Sequence, residues 1–210
     1  ASLVFTDSNW ASAQTVTVTG VNDDIDDGNQ AYNIVLAAAT SSDSNYNGVN
    51  PDDVSVSNTD NNTAGFTVSA ISGATTEAAG TATFTVVLTS EPTSDVTIGV
   101  SSSDTGEGTV NTASLVFTDS NWASAQTVTV SGVNDDIDDG DQAYNIVLAA
   151  AISDDSNYNG VNPDDVSVSN TDNNTAGFSV STISGTTTEA AGTATFTVVL
   201  TSEPTSDVTI

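Results

Sequence analysis

The sequence predicts an all-β chain of tandem antiparallel β-sandwiches, with about seven strands in each 112-residue repeat. Three observations carry that expectation. Apolar and polar residues alternate along short runs. The runs are rich in Val, Thr and Ile and are bounded by Gly, Asn, Asp, Ser or Pro. The whole pattern recurs at one fixed spacing: residues 1–10 return unchanged as 113–122, residues 1–98 align with 113–210 without a gap, and 7 of those 98 positions differ. Such near-identity points to recent duplication within a long tandem array.

The first element of a complete unit is the run 66–70, with Phe66 and Val68 on one face. The clearest strand is 81–89, where Ala82, Phe84, Val86 and Leu88 share one face and Thr dominates the other. Period-2 runs follow at 96–100, 115–117, 127–130, 144–148 and 166–168. Seven short strands in about 100 residues read as an immunoglobulin-like sandwich with one core between its sheets. No 3.6-residue stripe persists, and the patch Ala149-Ala150-Ala151 allows one helical turn at most. The same polar sequence, Asp-Asn-Asn-Thr, stands at 60–63 and at 172–175. It divides the chain into residues 1–63, the back part of one repeat; 64–175, a complete repeat; and 176–210, the front part of the next. Together the two end pieces lack only the 14 residues that match 99–112. Either the segment continues into a longer array, or part-repeats of neighbouring molecules complete each other.

Composition removes several classes of function. The chain has 28 Asp and Glu, no Lys, Arg or His, no Cys, and a formal charge of −28. Nucleic-acid binding needs cationic side chains against phosphate, and adhesion to anionic lipid needs them too. Without Cys there are no disulfides or thiolate metal sites. A nucleophile–His system has no base, so only paired carboxylates remain for catalysis, and their repetition in every unit favours a structural role. No apolar run is long enough to span a membrane, and no charged leader precedes the apolar residues at the start of the chain.

The 16 acidic residues of the complete repeat are clustered. Asp135, Asp136, Asp138, Asp139 and Asp141 put five carboxylates into seven residues, just before the 144–148 strand. Glu77 precedes the 81–89 strand, and Asp172-Asn173-Asn174 closes the repeat. Such a run is either a solvated, solubilising loop or a ligand set for a hard divalent cation, since the chain holds no cation of its own. Clustering and the total lack of Lys and Arg favour Ca²⁺, which takes six to eight oxygen ligands.

Those same stretches resemble a known family. Glu77 followed by residues 80–88, the acidic run 135–141 leading into Tyr144–Leu148 through an acidic-Gly-acidic step, and the closing strand 166–172 are together similar to a Calx-β domain. The resemblance spans essentially the whole repeat and suggests a tandem repeat of a large bacterial surface or adhesin-type protein. It implies a seven-stranded sandwich binding Ca²⁺ at one end, beside the next domain, with Glu77, Asp135, Asp136, Asp139 and Asp172 as ligands and Asp138 in the same run. Two departures stand out. The family's acidic-aromatic pair after the third strand has no counterpart, leaving Asp104 or Glu107 to substitute. The terminal acidic run is reduced to Asp172-Asn173-Asn174, which implies lower affinity. In the part-repeats the matching residues are Asp23, Asp24, Asp26, Asp27 and Asp60, then Glu189.

A second candidate is independent of that family. Residues 155–160 carry oxygen ligands at positions 1, 3 and 5 (Asp155, Asn157, Asn159) and Gly160 at position 6, as an EF-hand loop does. Its twelfth position is Val166 rather than Glu, with Asp164 and Asp165 just before it. The other reading is an Asn-Gly turn in a long loop. The earlier copy is Asp43, Asn45, Asn47, Gly48, Asp52 and Asp53. Trp10 and Trp122 suit core or inter-domain packing, and Pro92 and Pro204 suit turns. Asn61 and Asn173 open formal glycosylation sequons whose place at the acidic junction favours a structural or ligand role.

The function these features predict is structural and non-enzymatic: a Ca²⁺-stiffened segment of a secreted or cell-surface fibre or adhesin stalk. Its partners would be neighbouring repeats or identical subunits, in a linear array or a filament polymerised head-to-tail by strand completion. The lack of Cys fits a bacterial surface better than an animal matrix. The alternative is an adhesive module for carbohydrate, ice or a host protein, motivated by the Thr-rich outward face of the 81–89 strand.

Overall fold

The structure, a computed structural model, describes residues 2–210. It is all-β, with no helix among the described residues. The chain divides into two compact units, Ala1–Asn61 and Asn62–Ile210.

The larger unit holds a two-sheet sandwich. One sheet is built from β3 (Phe66–Val68), β5 (Thr81–Leu88), β9 (Gln126–Gly132) and β7 (Gly108–Val110), in the order β3-β5-β9-β7. The other is built from β4 (Thr75–Thr76), β11 (Val166–Thr171), β10 (Gln142–Leu148), β6 (Val96–Ser102) and β8 (Ser114–Phe117), in the order β4-β11-β10-β6-β8. The alternation in sequence becomes alternation in burial: Ala82, Phe84, Val86 and Leu88 of β5 are all buried, as are Val96, Ile98 and Val100 of β6. Val128 and Val130 of β9, Leu115 and Phe117 of β8, and Tyr144, Ile146 and Leu148 of β10 complete the core. Each such side chain contributes roughly 1.5–3 kcal/mol over leaving it in water.

Two strands escape the sequence pattern. β4 and β7 are two and three residues long, too short to display a period. The contact of β4 with β11 is also the one parallel pairing of named strands among the described residues of the larger unit, with Asn170↔Thr75 and Thr171↔Thr76; the other strand pairings are antiparallel. The patch at 149–151 is not helical. Its amides reach across to neighbouring segments, Ala149 N–H to the Gly99 carbonyl at 2.9 Å and Ala151 N–H to Val161 at 2.8 Å, because Ala151 is itself core.

The loop after it closes the far end of the core. Tyr158 is buried, stands edge-on to Phe66 at 5.8 Å between ring centroids, and donates its hydroxyl to the Ser90 carbonyl at 2.7 Å. Trp122 packs partly buried against the core from a turn, whereas its copy Trp10 is exposed. Further along the larger unit, β12 (Phe178–Val180) pairs with β13 (Val198–Leu200). In the smaller unit, β1 (Gln30–Ile34) pairs antiparallel with β2 (Val54–Asn58), from Gln30↔Asn58 to Ile34↔Val54.

Candidate metal centre

Three chain segments bring carboxylates to one end of the sandwich. The parallel pairing of β4 with β11 carries Glu77 to the exit of the closing strand. There Glu77 N–H donates to the Thr171 carbonyl at 3.1 Å, and Asn173 N–H donates to Glu77 Oε2 at 3.1 Å. Glu107 enters from the loop ahead of β7, held by Val133 N–H on its carbonyl at 2.9 Å. Asp135 and Asp139 come from the acidic run before β10. Carboxylate oxygens of Glu107, Asp135 and Asp139 all lie within 4.8 Å of one another.

The charge of this end is uncompensated. Glu77 is 3% exposed. Burial is the main force pushing its carboxyl above the usual range; the Asn173 amide opposes it, and the charges of Asp172, Asp135 and Asp139 push further up. Asp172 is held low instead. Its two oxygens accept from Asn174 N–H at 2.6 Å and Gly140 N–H at 2.8 Å. Gly140 takes a φ of 75°, a left-handed turn that suits glycine.

A buried polar chain runs from this end into the core. Asn170 donates through Nδ2 to the Val133 carbonyl at 2.9 Å and to Glu107 Oε2 at 3.3 Å. Its Oδ1 accepts from Thr75 Oγ1 at 3.0 Å, and Thr75 Oγ1 lies 3.0 Å from the Tyr144 hydroxyl. Asn170 sits where the inward alternation Val166, Val168 calls for an apolar residue. That polar intruder was the signal in the sequence for its positioning role, and Thr75 offered none. Gly132 lines the same place: a Cβ there would collide with the Thr76 carbonyl oxygen.

The remaining predicted ligands take other positions. Asp104 Oδ1 accepts from Gly106 N–H at 2.9 Å, so it caps the turn that presents Glu107. Asp136 and Asp138 are exposed on the outer side of the run. Asp138 Oδ2 accepts from Ala176 N–H at 2.7 Å, and the Asp136 carbonyl accepts from Glu203 N–H at 2.6 Å. Ile137 makes a parallel bridge with Glu203. One loop thus faces the carboxylates on one side and the following segment on the other.

In the EF-hand-like loop, both oxygens of the buried Asp155 accept backbone amides, Asn157 N–H at 2.9 Å and Thr93 N–H at 2.9 Å. Asn159 Oδ1 accepts from Ser153 N–H at 3.3 Å, and Asp165 Oδ1 from Leu148 N–H at 3.0 Å. Asp164 is exposed. None of these belongs to the three-carboxylate group found among the described residues. Asp43, Asn45, Asn47 and Asp53 repeat the same turn bonds in the smaller unit, Asn45 N–H to Asp43 Oδ1 at 2.9 Å among them.

Asp23, Asp24, Asp26, Asp27 and Asp60 repeat the local frame of the acidic run, with Gly28 N–H on Asp60 Oδ2 at 2.7 Å and Ile25 N–H on Asp23 Oδ1 at 3.1 Å. Residues 2–61 contain no counterpart of Glu77 or Glu107. Glu189, the copy of Glu77, is exposed.

The oxygen-only donor set suits a hard divalent ion. Two further observations fit one: a buried carboxylate that no side-chain cation balances, and the buried Asn174 Oδ1, which has no hydrogen-bond partner, two residues past Asp172.

Fold and site together define a repeat module, a β-sandwich with a carboxylate cage at one end. The Calx-beta domain family matches residues 1–62 and 57–174, and the chain belongs to that family. The family is non-catalytic and associated with calcium binding, and its domains are typically parts of extracellular or membrane proteins. Comparison with curated proteins gave no match. No helix here is long and apolar enough to cross a membrane, among the described residues.

Proposed function

We propose that this chain is a calcium-stiffened structural segment of an extracellular fibre or adhesin stalk, with residues 64–175 as its complete repeat. Glu77, Glu107, Asp135, Asp139 and Asp172 would hold the ion, which supplies positive charge where the chain has only negative. The observation that carries the reading is the double role of the 135–141 loop. Its Asp135 and Asp139 carboxylates belong to the acidic cluster, while the Asp136 carbonyl and Asp138 carboxylate bind residues 203 and 176 of the next repeat. Ordering the loop from one side fixes the attachment on the other. Without a cation, repulsion among these carboxylates loosens the loop and the joint becomes a hinge. Extracellular calcium modules of this kind work at about 10⁻⁴–10⁻³ M.

Thermal melts of the 210-residue chain in about 10 mM Ca²⁺ and in EGTA test this. At those affinities the ion adds about 1.4–2.7 kcal/mol to the folded state, a rise in Tm of several degrees that chelator reverses. Small-angle scattering should report a narrower distribution of shapes with Ca²⁺. An unchanged Tm, in the parent and in Asp135→Asn alike, would sink the reading and leave the acidic run as solubilising charge.

A further inference from the structure

We propose that the complete repeat cross-links itself: the Thr75 hydroxyl attacks the side-chain amide of Asn170 and forms an ester between β4 and β11, releasing ammonia. The proposal does not rest on the cation.

A nucleophile, an acyl group and a carboxylate meet in one buried place. Thr75 and Asn170 are 0% and 1% exposed. Thr75 Oγ1 lies 3.0 Å from Asn170 Oδ1, across 95 residues of sequence. That oxygen is one carbonyl bond from Cγ, the carbon to be attacked. The hydroxyl is therefore a shift of about 1 Å from the near-attack distance of about 3–3.5 Å. Both reacting groups are held. The Tyr144 hydroxyl stands 3.0 Å from Thr75 Oγ1. Asn170 Nδ2 donates to the Val133 carbonyl at 2.9 Å and to Glu107 Oε2 at 3.3 Å. A Cβ on Gly132 would collide with Asn170 Oδ1, so glycine is what admits the amide here.

The two residues stand where packing alone asks for hydrophobes. Thr75 and Asn170 occupy buried positions of β4 and β11, and Asn170 continues the inward series of Val166 and Val168. An apolar pair of the same shape can match a buried hydrogen-bonded pair in stability. Hydrogen bonding by itself therefore gives the polar pair little advantage, whereas a hydroxyl and an amide can do what two hydrophobes cannot: react.

The step balances without a co-reactant. The Thr75 Oγ1–Asn170 Cγ bond forms and the Cγ–Nδ2 bond breaks. The hydroxyl proton passes to the departing nitrogen, with Glu107 Oε2 as the relay beside it, and the nitrogen leaves as ammonia. Nothing is oxidised or reduced. Burial of the site keeps water from hydrolysing the ester. The product ties β4 to the closing strand and closes the 95-residue span between them, which constrains the unfolded chain as a disulfide over a long loop does.

Intact-mass spectrometry of the denatured 210-residue chain tests this, with all samples held in EGTA so that the outcome is independent of the calcium reading. The parent should be lighter than its sequence by one ammonia. Digestion at acidic residues should give two peptides joined at Thr75 and Asn170, and hydroxylamine should separate them. Thr75→Val, which keeps the shape, should have full mass. Glu107→Gln, slowed by about a hundredfold or more, should leave purification largely unreacted. A parent still at full mass after prolonged storage overturns the proposal. So does an ammonia loss that persists in Thr75→Val, which would place it at a succinimide elsewhere. The joined peptides are read in the parent itself, so a Thr75→Val that fails to fold leaves the test standing.

Discussion

Residues 81–88 and 193–200 have the same sequence and different structures. The first is an eight-residue strand with four side chains in the core; the second keeps strand only at Val198–Leu200. The surviving part is the part whose partner is nearby in sequence, since β13 pairs with Phe178–Val180. The rest enters no ladder with a copy of β9 among the described residues. The same holds in the smaller unit, where β1 and β2 form because both lie within it, whereas residues 2–20 stay irregular. Local propensity is equal in the two copies, so the difference is the work of tertiary partners. In these repeats the strand is a property of the pair.

That contrast can be broken by making one substitution twice. Phe84→Ala should cost the complete repeat about 3–5 kcal/mol, because it empties a fully buried site, whereas Phe196→Ala should change the unfolding free energy by less than about 0.5 kcal/mol. Urea melts of the two variants decide it. Equal losses would mean that 193–197 is packed in solution and the contrast is false.

Asn170 sharpens the contrast at the site. Asn170→Ala strands Thr75 and frees Glu107, so it should cost about 1–3 kcal/mol and shrink the Ca²⁺-dependent rise in Tm. Its copy Asn58 donates to the Val21 carbonyl at 2.7 Å but lies in a unit with no Thr75 or Glu107 counterpart. Asn58→Ala should cost less, and calorimetry with and without Ca²⁺ separates the two.

Acidity distinguishes them next. An acid whose folded pKa is raised favours the fold when protonated. The Glu77 contribution in the metal-free protein is therefore full below the ordinary Glu range and is lost as pH rises through its raised value. Asp172 acts in the opposite sense: its contribution is present above the ordinary Asp range and is lost as pH falls through its lowered value. In EGTA, Glu77→Gln should remove the loss on the alkaline side of Glu77's titration, and Glu189→Gln should not. Identical stability profiles for parent and Glu77→Gln would refute the assignment.

The smallest effect concerns the backbone. Ala79, two residues after Glu77, has a φ of 60°, and its copy Ala191 has 64°. A left-handed alanine is strained, and glycine relieves that at some cost in chain entropy. Ala79→Gly should gain about 1 kcal/mol in the complete repeat, and Ala191→Gly should leave its melt unmoved.

The long strands were legible because eight or nine residues display a period, as 81–89 do. β4 and β7 were not, and they are the strands beside Glu77 and Glu107. The site was therefore readable as a composition of residues but not as a placement. The acidic run and Glu77 announced themselves, whereas the choice of Glu107 over Asp104 depends on which of two residues caps a turn. The buried chain through Thr75 and Tyr144 depends on a cross-strand register that no local pattern records. The EF-hand-like spacing at 155–160 shows the converse. A ligand-like pattern is also the pattern of an Asx turn, and here both Asp155 oxygens hold backbone amides.

The parallel contact of β4 with β11 has a mechanical meaning. Tension that reaches β4 from its N-terminal side and leaves through the C-terminal end of β11 slides the two strands along each other. Their bonds, from Thr75–Asn170 through Thr76–Thr171 to the Glu77–Asn173 contact, are then loaded together rather than opened one by one. An antiparallel pair pulled from adjacent ends unzips. This end of the repeat therefore resists pulling as a shear clamp, and the carboxylates sit on the clamp itself.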